Sequence, residues 1–479
     1  MTAQTAGHLI ADSDITFGTS GARGLVEQFS DEVCAAFATA FLQGLKHQFR
    51  FTKVAIGIDR RPSSPQMAAA CAGAAKALGL EAEYFGVLPT PALALHAMAE
   101  HIPAIMITGS HIPFDRNGIK FYRPDGEISK ADEQSIAAST AQLPAYTAEL
   151  PAESPQATQR YINRYTHLYP AHTLAGMRIG VYQHSAAGRD TNTHILEQLG
   201  ATVIPLGRTE EFVPIDTEAV TQDDKARGRA WAEEHNLHAI FSTDGDGDRP
   251  LLADESGQWL RGDILGLLCA QALGIEALAV PVSCNTAIER SDSFKEIKRT
   301  RIGSPFVIEA MAELAGTHQS IAGFEANGGF LLGSALNAPG AALQPLPTRD
   351  AILPALVVLA KANQNKRPVS ALISNLPERY TDSDRLKDFA TEQSQALIRQ
   401  WKEQPEAMQK SLDLPTPIHS IDTTDGLRAT LADGRIVHVR PSGNAPELRC
   451  YCEAETPSAV SDLLRHCMER LGKQGKPVS

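Results

Sequence analysis

KVAIGIDRRPSS, residues Lys53–Ser64, decides the architecture. Its first half is apolar without polar alternation, the pattern of a strand buried on both faces. Its second half turns to charge, proline and serine, and the alanine-rich stretch after Ser64 has the composition of a helix. Strand, polar loop and helix in that order form the unit of α/β folds. The phrase returns as MRIGVYQHSAAG (Met177–Gly188) and as ALAVPVSCNTA (Ala277–Ala287), which suggests a long-period internal repeat. PAIMIT (Pro103–Thr108) reads as a further buried parallel strand of the first unit.

Working outward, 479 residues are too many for one ordinary core and predict several compact units. A Pro/Ala/Thr-rich stretch, QLPAYTAELPAESPQAT, breaks the first pattern and reads as a linker. A second unit runs from MRIGVY to HAIFSTDGDGDRPLLADESG, and a third begins near LRGDILGLL. After Lys366 a polar stretch leads to a fourth, which ends in RIVHVRPSGNAPELRCYCEAE and a terminal helix.

Composition excludes several function classes. A net charge of −12 argues against a basic face for nucleic acid or for an anionic membrane, yet leaves room for a small anion held by a few local cations. The longest apolar runs, such as AILPALVVLA, fall short of a membrane span. The start, MTAQTAGHLIADSD, has neither a basic segment nor an apolar one, so no secretory signal is expected. The seven cysteines form no CxxC, and Cys450 and Cys452 read as two buried thiols on one face of a strand. A reducing, cytoplasmic setting is the expectation.

The sharpest chemical motif is TDGDGDRP (Thr243–Pro250). Asp244, Asp246 and Asp248 alternate with glycine, and carboxylates at that density repel unless a hard cation, Mg²⁺ or Ca²⁺, lies among them. A calcium EF-hand loop is the rival, since Glu255 falls at its twelfth position. Against it, Arg249 stands where that loop needs glycine, Pro250 follows, and the flanks read as strands. TGSHIP (Thr108–Pro113) places Ser110 just past a buried strand, where open α/β sheets carry their sites, and it is not the GxSxG of a serine hydrolase. RPSGNAPELR (Arg440–Arg449) offers a hydroxyl, glycine backbone and two arginines, a plausible phosphate cradle. GFEANGGF (Gly323–Phe330) sets Glu325 and Asn327 among glycines, suited to sugar hydroxyls. FGTSGARG and NGIKFY supply Arg23 and Lys120.

These motifs, in this order and one to a unit, resemble the α-D-phosphohexomutase family over nearly the whole chain. NGIKFYRPDGEI and FSTDGDGDRPL are most similar to its bacterial mannose-phosphate branch, which supplies GDP-mannose. The resemblance implies a four-domain α/β architecture around a central cleft: three related α/β domains at 1–150, 157–258 and 259–366, and a smaller C-terminal α+β domain at 370–479. It implies a phosphorylated Ser110 beside His111, and Mg²⁺ held by Ser110, Asp244, Asp246 and Asp248. Arg23 and Arg249 would steady the transferring group, and Lys120 would assist proton transfer. Glu325 and Asn327 would read the sugar; Arg440, Ser442, Gly443, Asn444 and Arg449 would hold the distal phosphate.

The implied partners are small hexose phosphates, with a hexose 1,6-bisphosphate as activator and intermediate, and neither nucleic acid nor membrane. The expected reaction interconverts mannose 6-phosphate and mannose 1-phosphate. Glucose-phosphate, dual and glucosamine-phosphate mutases are the alternatives, and monomer and dimer stay open. A non-catalytic sugar-phosphate binder would have eroded Ser110 or the aspartates, and both are intact. The chain departs from the common TASHNP at Gly109 and Ile112. Asn327 stands where the common sugar loop has Ser, and Gly329 and Ser304 stand where relatives carry His.

Overall fold

The computed structural model describes residues 5–18, 21–337, 340–442 and 446–474. Its strands form four sheets. In the first, Lys53–Ile58 lies between Glu81–Val87 and Ala104–Ile107, parallel to both, and Arg116–Arg123 then runs antiparallel to Ala104–Ile107. In the second, Arg178–Tyr182 lies between Thr202–Leu206 and Ala239–Thr243, with Pro250–Ala253 antiparallel at the end. In the third, Ala277–Pro281 lies between Glu296–Thr300 and Ile321–Phe324, with Phe330–Leu332 antiparallel. The three sheets share one strand order and one sense, so the repeated phrase marks the central strand of a repeated unit.

The reason is two-sided burial. Helices such as Ser64–Ala77, Thr90–Glu100 and Gln222–His235 cross between parallel strands, and strands covered on both faces hold apolar side chains on both. Ala104–Ile107 is buried at every position, as the reading of PAIMIT requires. The fourth sheet is wholly antiparallel, in the order Tyr380–Leu386, Leu448–Ala454, Ile436–Pro441, Leu427–Leu431, Ile418–Asp422. Leu427–Leu431 alternates buried with half-buried positions, as expected for a sheet packed on one face by Thr391–Glu403 and Pro457–Gln474.

The leading part of the proline-rich stretch packs against the first unit. Leu143, Tyr146 and Leu150 pack on the first unit's core, and a Cβ at Gly73 would stand 2.3 Å from the Thr147 carbonyl oxygen. Apolar side chains among the prolines hold it down. Cys450 and Cys452 are buried with their sulfurs 4.0 Å apart, as the strand reading requires, and Cys467 of the terminal helix joins them in the fourth core. No helix among the described residues is long and apolar enough to cross a membrane.

Shared topology places the three motifs alike. The turn from the third parallel strand into its antiparallel neighbour carries Ser110 in the first unit, Asp244–Asp248 in the second and Glu325–Gly329 in the third. Each lies beyond the carboxyl end of a parallel strand.

Candidate active site

Ser110 is held against its own backbone preference. Its φ is 53°, in the left-handed region that costs a non-glycine residue about 1 kcal/mol or more. Surrounding contacts over-determine the turn. The Ser110 amide donates to Thr108 Oγ1 at 2.8 Å, and the Gly109 amide to Asp59 Oδ2 at 3.2 Å. The buried Arg61 guanidinium donates to the carbonyl oxygens of Ser110, Ile112, Pro113 and Arg116 at 3.2, 2.6, 2.7 and 2.8 Å. It lies so close that a Cβ at residue 109 would stand 2.5 Å from its central carbon, which accounts for Gly109. The Phe212 ring covers its other side at 3.9 Å.

Ser110 Oγ points out of this turn and donates to Asp244 Oδ2 at 2.6 Å, joining the serine and aspartate loops. Asp244 Oδ1 accepts the amides of Asp248 and Arg249, each at 3.2 Å. Asp246 Oδ2 accepts from Thr90 Oγ1 and Lys120 Nζ at 2.6 Å, and Asp248 Oδ2 accepts from Lys120 Nζ at 2.6 Å. The Oδ1 atoms of Asp246 and Asp248 are buried with no hydrogen-bond partner. One oxygen from each aspartate lies within 4.8 Å of the others. Buried carboxylate oxygens are costly unless paired, so these two orphaned acceptors and an all-oxygen donor set fit a hard cation. An EF-hand is excluded by geometry: the flanks are the antiparallel strands Ala239–Thr243 and Pro250–Ala253, and Glu255 accepts from Ser370 instead.

Electrostatics follow from crowding. Burial, then repulsion from Asp246 and Asp248, drives the Asp244 carboxyl well above the ordinary range. Burial works against ionised Asp248 too, but Arg349 and Lys120 outweigh it and hold its pKa down. Burial alone would lower Lys120; Asp246 and Asp248 reverse that and keep it an ammonium. His111 Nδ1 lies 3.3 Å from Ser110 Oγ, and burial followed by Arg249 and Arg23 presses its pKa well below the usual histidine value, so it is neutral at pH 7. Arg249 Nε lies 3.7 Å from Asp248. Arg23, whose strand pairs with that of Lys120, faces Arg249 and Arg349, and burial with those neighbours brings its pKa down to about 10. Arginines that repel one another in a cleft mark a place for an anion.

In the third unit Glu325 and Asn327 are buried. Glu325 accepts from Arg349 Nη1 at 3.1 Å, while Asn327 Oδ1 caps its own turn by accepting the Gly329 amide at 3.0 Å. Arg349, in LPTRD, was not singled out in the sequence. It donates to Asp248 through Nη2 at 2.9 Å and fills the space over Gly329, where a Cβ would meet its Cδ at 2.5 Å. Ser304 donates to Glu127 Oε2 at 2.8 Å and Thr348 to Glu127 Oε1 at 2.7 Å, so a carboxylate network holds the serine. Thr90, Arg61 and Glu127 were also missed. A proline-flanked Thr and an Arg after a strand are common, and only the partner loops give them meaning.

In the fourth unit Arg440 pairs directly with Arg449, and Arg449 with Arg385 on its other side. Three arginines in register face one side of three adjacent strands, an arrangement unfavourable without a counter-anion. Glu447 lies 3.5 Å from Arg449 and 3.7 Å from Arg385, and Asp425 lies 3.7 Å from Arg440. The Ser442 amide donates to the Glu447 carbonyl at 2.8 Å. Gly443 and Asn444 lie outside the described residues. Arg385 escaped the sequence reading because strand register is invisible there.

Comparison with known proteins gives concordant matches. Residues 14–147, 261–380 and 384–469 match phosphoglucomutase/phosphomannomutase alpha/beta/alpha domain I, alpha/beta/alpha domain III and the C-terminal domain. A phosphomannomutase of Salmonella muenchen is 50% identical over 471 residues, 97% of this chain and 98% of its own. Among solved structures, a phosphoglucomutase/phosphomannomutase family protein of Burkholderia thailandensis has TM-score 0.73 at 18% identity, over 95% of this chain and 97% of its own. An Aspergillus fumigatus N-acetylphosphoglucosamine mutase, in complex with GlcNAc-6P and magnesium, has TM-score 0.59 at 13% identity, over 99% and 100%.

Proposed function

The chain belongs to the phosphoglucomutase/phosphomannomutase family, and from that premise we propose that it is a phosphomannomutase working through Ser110. The observation that carries the reading is the 2.6 Å hydrogen bond from Ser110 Oγ to Asp244 within a triplet that has buried carboxylate oxygens with no hydrogen-bond partner. A hydroxyl at the edge of a cation site is what phosphoryl transfer through serine requires. The half-identical Salmonella relative, named phosphomannomutase, supports mannose as the sugar.

The resident ion we assign is Mg²⁺, held by Asp244, Asp246, Asp248 and Ser110; bound there, it neutralises charge on the phosphoryl oxygens. The carboxyl groups of Asp244, Asp246, Asp248 and Glu325 stand among four cations, Lys120, Arg23, Arg249 and Arg349. The charge of a phosphoserine dianion would be matched by that of an added divalent cation.

In the forward reaction the phosphoserine P–Oγ bond breaks as O6 of mannose 1-phosphate bonds to phosphorus. The proton leaving O6 is matched by the one Oγ gains, with neutral His111 beside Oγ to relay it. Lys120 offsets charge as that proton moves, and Arg23 and Arg249 steady the phosphoryl group. Mannose 1,6-bisphosphate then turns over, and its 1-phosphate returns to Ser110. Arg440, Ser442, Gly443, Asn444 and Arg449 grip whichever phosphate is not reacting, and Glu325 and Asn327 read the hydroxyls. Transfer of this kind needs positioning and charge neutralisation more than covalent work by the protein.

The test is turnover of mannose, glucose and glucosamine 1-phosphates with Mg²⁺ and a trace of hexose 1,6-bisphosphate. Preference for mannose, or parity between mannose and glucose, is expected. Preference for glucosamine, or no turnover, overturns the assignment.

A further inference from the structure

Three consecutive residues of the edge strand Leu346–Asp350 each reach a different partner. Thr348 donates to Glu127 of the first unit at 2.7 Å. Arg349 donates to Asp248 through Nε and Nη2 at 3.2 and 2.9 Å, and to Glu325 through Nη1 at 3.1 Å. Asp350 accepts the Tyr161 hydroxyl at 2.6 Å and the Tyr165 hydroxyl. Arg349 is buried, and its route past the sugar loop exists because residue 329 is glycine: a Cβ there would stand 2.5, 2.7 and 2.9 Å from the Cδ, Cγ and Cβ of Arg349. One guanidinium therefore spans the aspartate loop of the second unit and the carboxylate of the third.

We propose that Arg349 is a positioning residue that couples the divalent-cation loop to the sugar-reading carboxylate, with Gly329 as the space that admits it. The proposal rests on the mutase reading above. Guanidinium chemistry explains the choice of residue. A planar fork with several fixed donors can engage Asp248 through two nitrogens and Glu325 through a third at once, which a lysine ammonium on a flexible stem cannot.

Two consequences of opposite sign follow. The cation on Asp248 weakens the pull of the triplet on a divalent ion, so its removal strengthens metal binding. The same group fixes the Glu325 carboxylate, so its removal weakens sugar-phosphate binding. A residue that served only packing would weaken both together.

Calorimetry on the full-length, unphosphorylated protein separates the cases. In Arg349→Gln the Kd for Mg²⁺ should fall about fivefold, while the Kd for mannose 1-phosphate should rise about tenfold. Arg349→Lys keeps the charge, so Mg²⁺ affinity should stay near wild type while the sugar-phosphate Kd still rises. Gly329→Ala, whose methyl displaces the guanidinium, should reproduce both shifts of Arg349→Gln at smaller amplitude. Unchanged constants, or joint weakening of both ligands, overturn the proposal. Should Arg349→Gln fail to fold, Arg349→Lys and Gly329→Ala decide by the same criteria. If wild type bound mannose 1-phosphate but turned over no hexose phosphate, the mutase reading would fail while these binding constants still judged Arg349.

Discussion

Asp350→Asn should flatten the protein's stability against pH, by an amount the structure fixes. Asp350 is fully enclosed, with the hydroxyls of Tyr161 and Tyr165 and the Ile352 amide donating to its carboxylate. Burial drives its pKa from the ordinary 3.8 up to about 6, a rise that Tyr161 and Arg164 only partly oppose. The native protein therefore binds this proton more tightly than the unfolded chain does. The stabilisation is complete below pH 3.8 and is lost as pH rises through about 6.

Across that window the loss amounts to about 3 kcal/mol, at roughly 1.4 kcal/mol per pH unit. Asparagine does not ionise, so the variant should gain on wild type by that amount between pH 4 and 7. For an unfolding unit of roughly 150 to 250 residues, the gain corresponds to about 6 to 12 °C in melting midpoint. The assay is thermal unfolding of both proteins at half-unit steps over that range. Every other titrating group cancels in the difference. Parallel melting curves, with a constant gap between the two proteins, would refute the buried-carboxylate argument.

Ser110→Ala should abolish turnover while calorimetry still detects mannose 1-phosphate, because the distal phosphate grip proposed above does not use Ser110; wild-type rates in that variant would sink the mechanism. Arg449→Ala should raise KM for mannose 1-phosphate by roughly ten- to a hundredfold, the worth of a lost charge-assisted hydrogen bond, with unfolding temperature little changed. Steady-state kinetics beside a thermal melt would check it, and an unaltered KM would remove Arg449 from the phosphate site. Chelation by EDTA should stop activity and Mg²⁺ restore it, whereas recovery with Ca²⁺ alone would contradict the assigned ion.

Much of the candidate site was legible because its motifs are carried on short loops. The Asp244–Asp248 alternation forces three carboxylates together whatever the fold around them. The motif TGSHIP follows a run with no polar residue, so its position past a buried strand could be read directly. The fates of Gly109 and Gly329 could not. Each looked like a departure from a family pattern, and each proves to be room for an arginine, Arg61 or Arg349, that arrives from a distant stretch of chain. The packing of Leu143, Tyr146 and Leu150 was hidden for a related reason: the prolines around them could be read, but the core that receives them could not.

Local physics settled the rest of what the sequence determined alone. Two-sided burial demands unbroken apolar strands, so the α/β class and the repeated strand–loop–helix phrase were written in hydrophobic pattern. Only tertiary structure decided which loops meet. The 2.6 Å contact between Ser110 and Asp244 spans two sheets, and the row Arg385, Arg449, Arg440 exists only through strand register. Arg349 gains its place from carboxylates on two other loops. Hydrophobic periodicity is a property of neighbours along the chain, whereas charge pairing across a cleft depends on distances that only the packed fold sets.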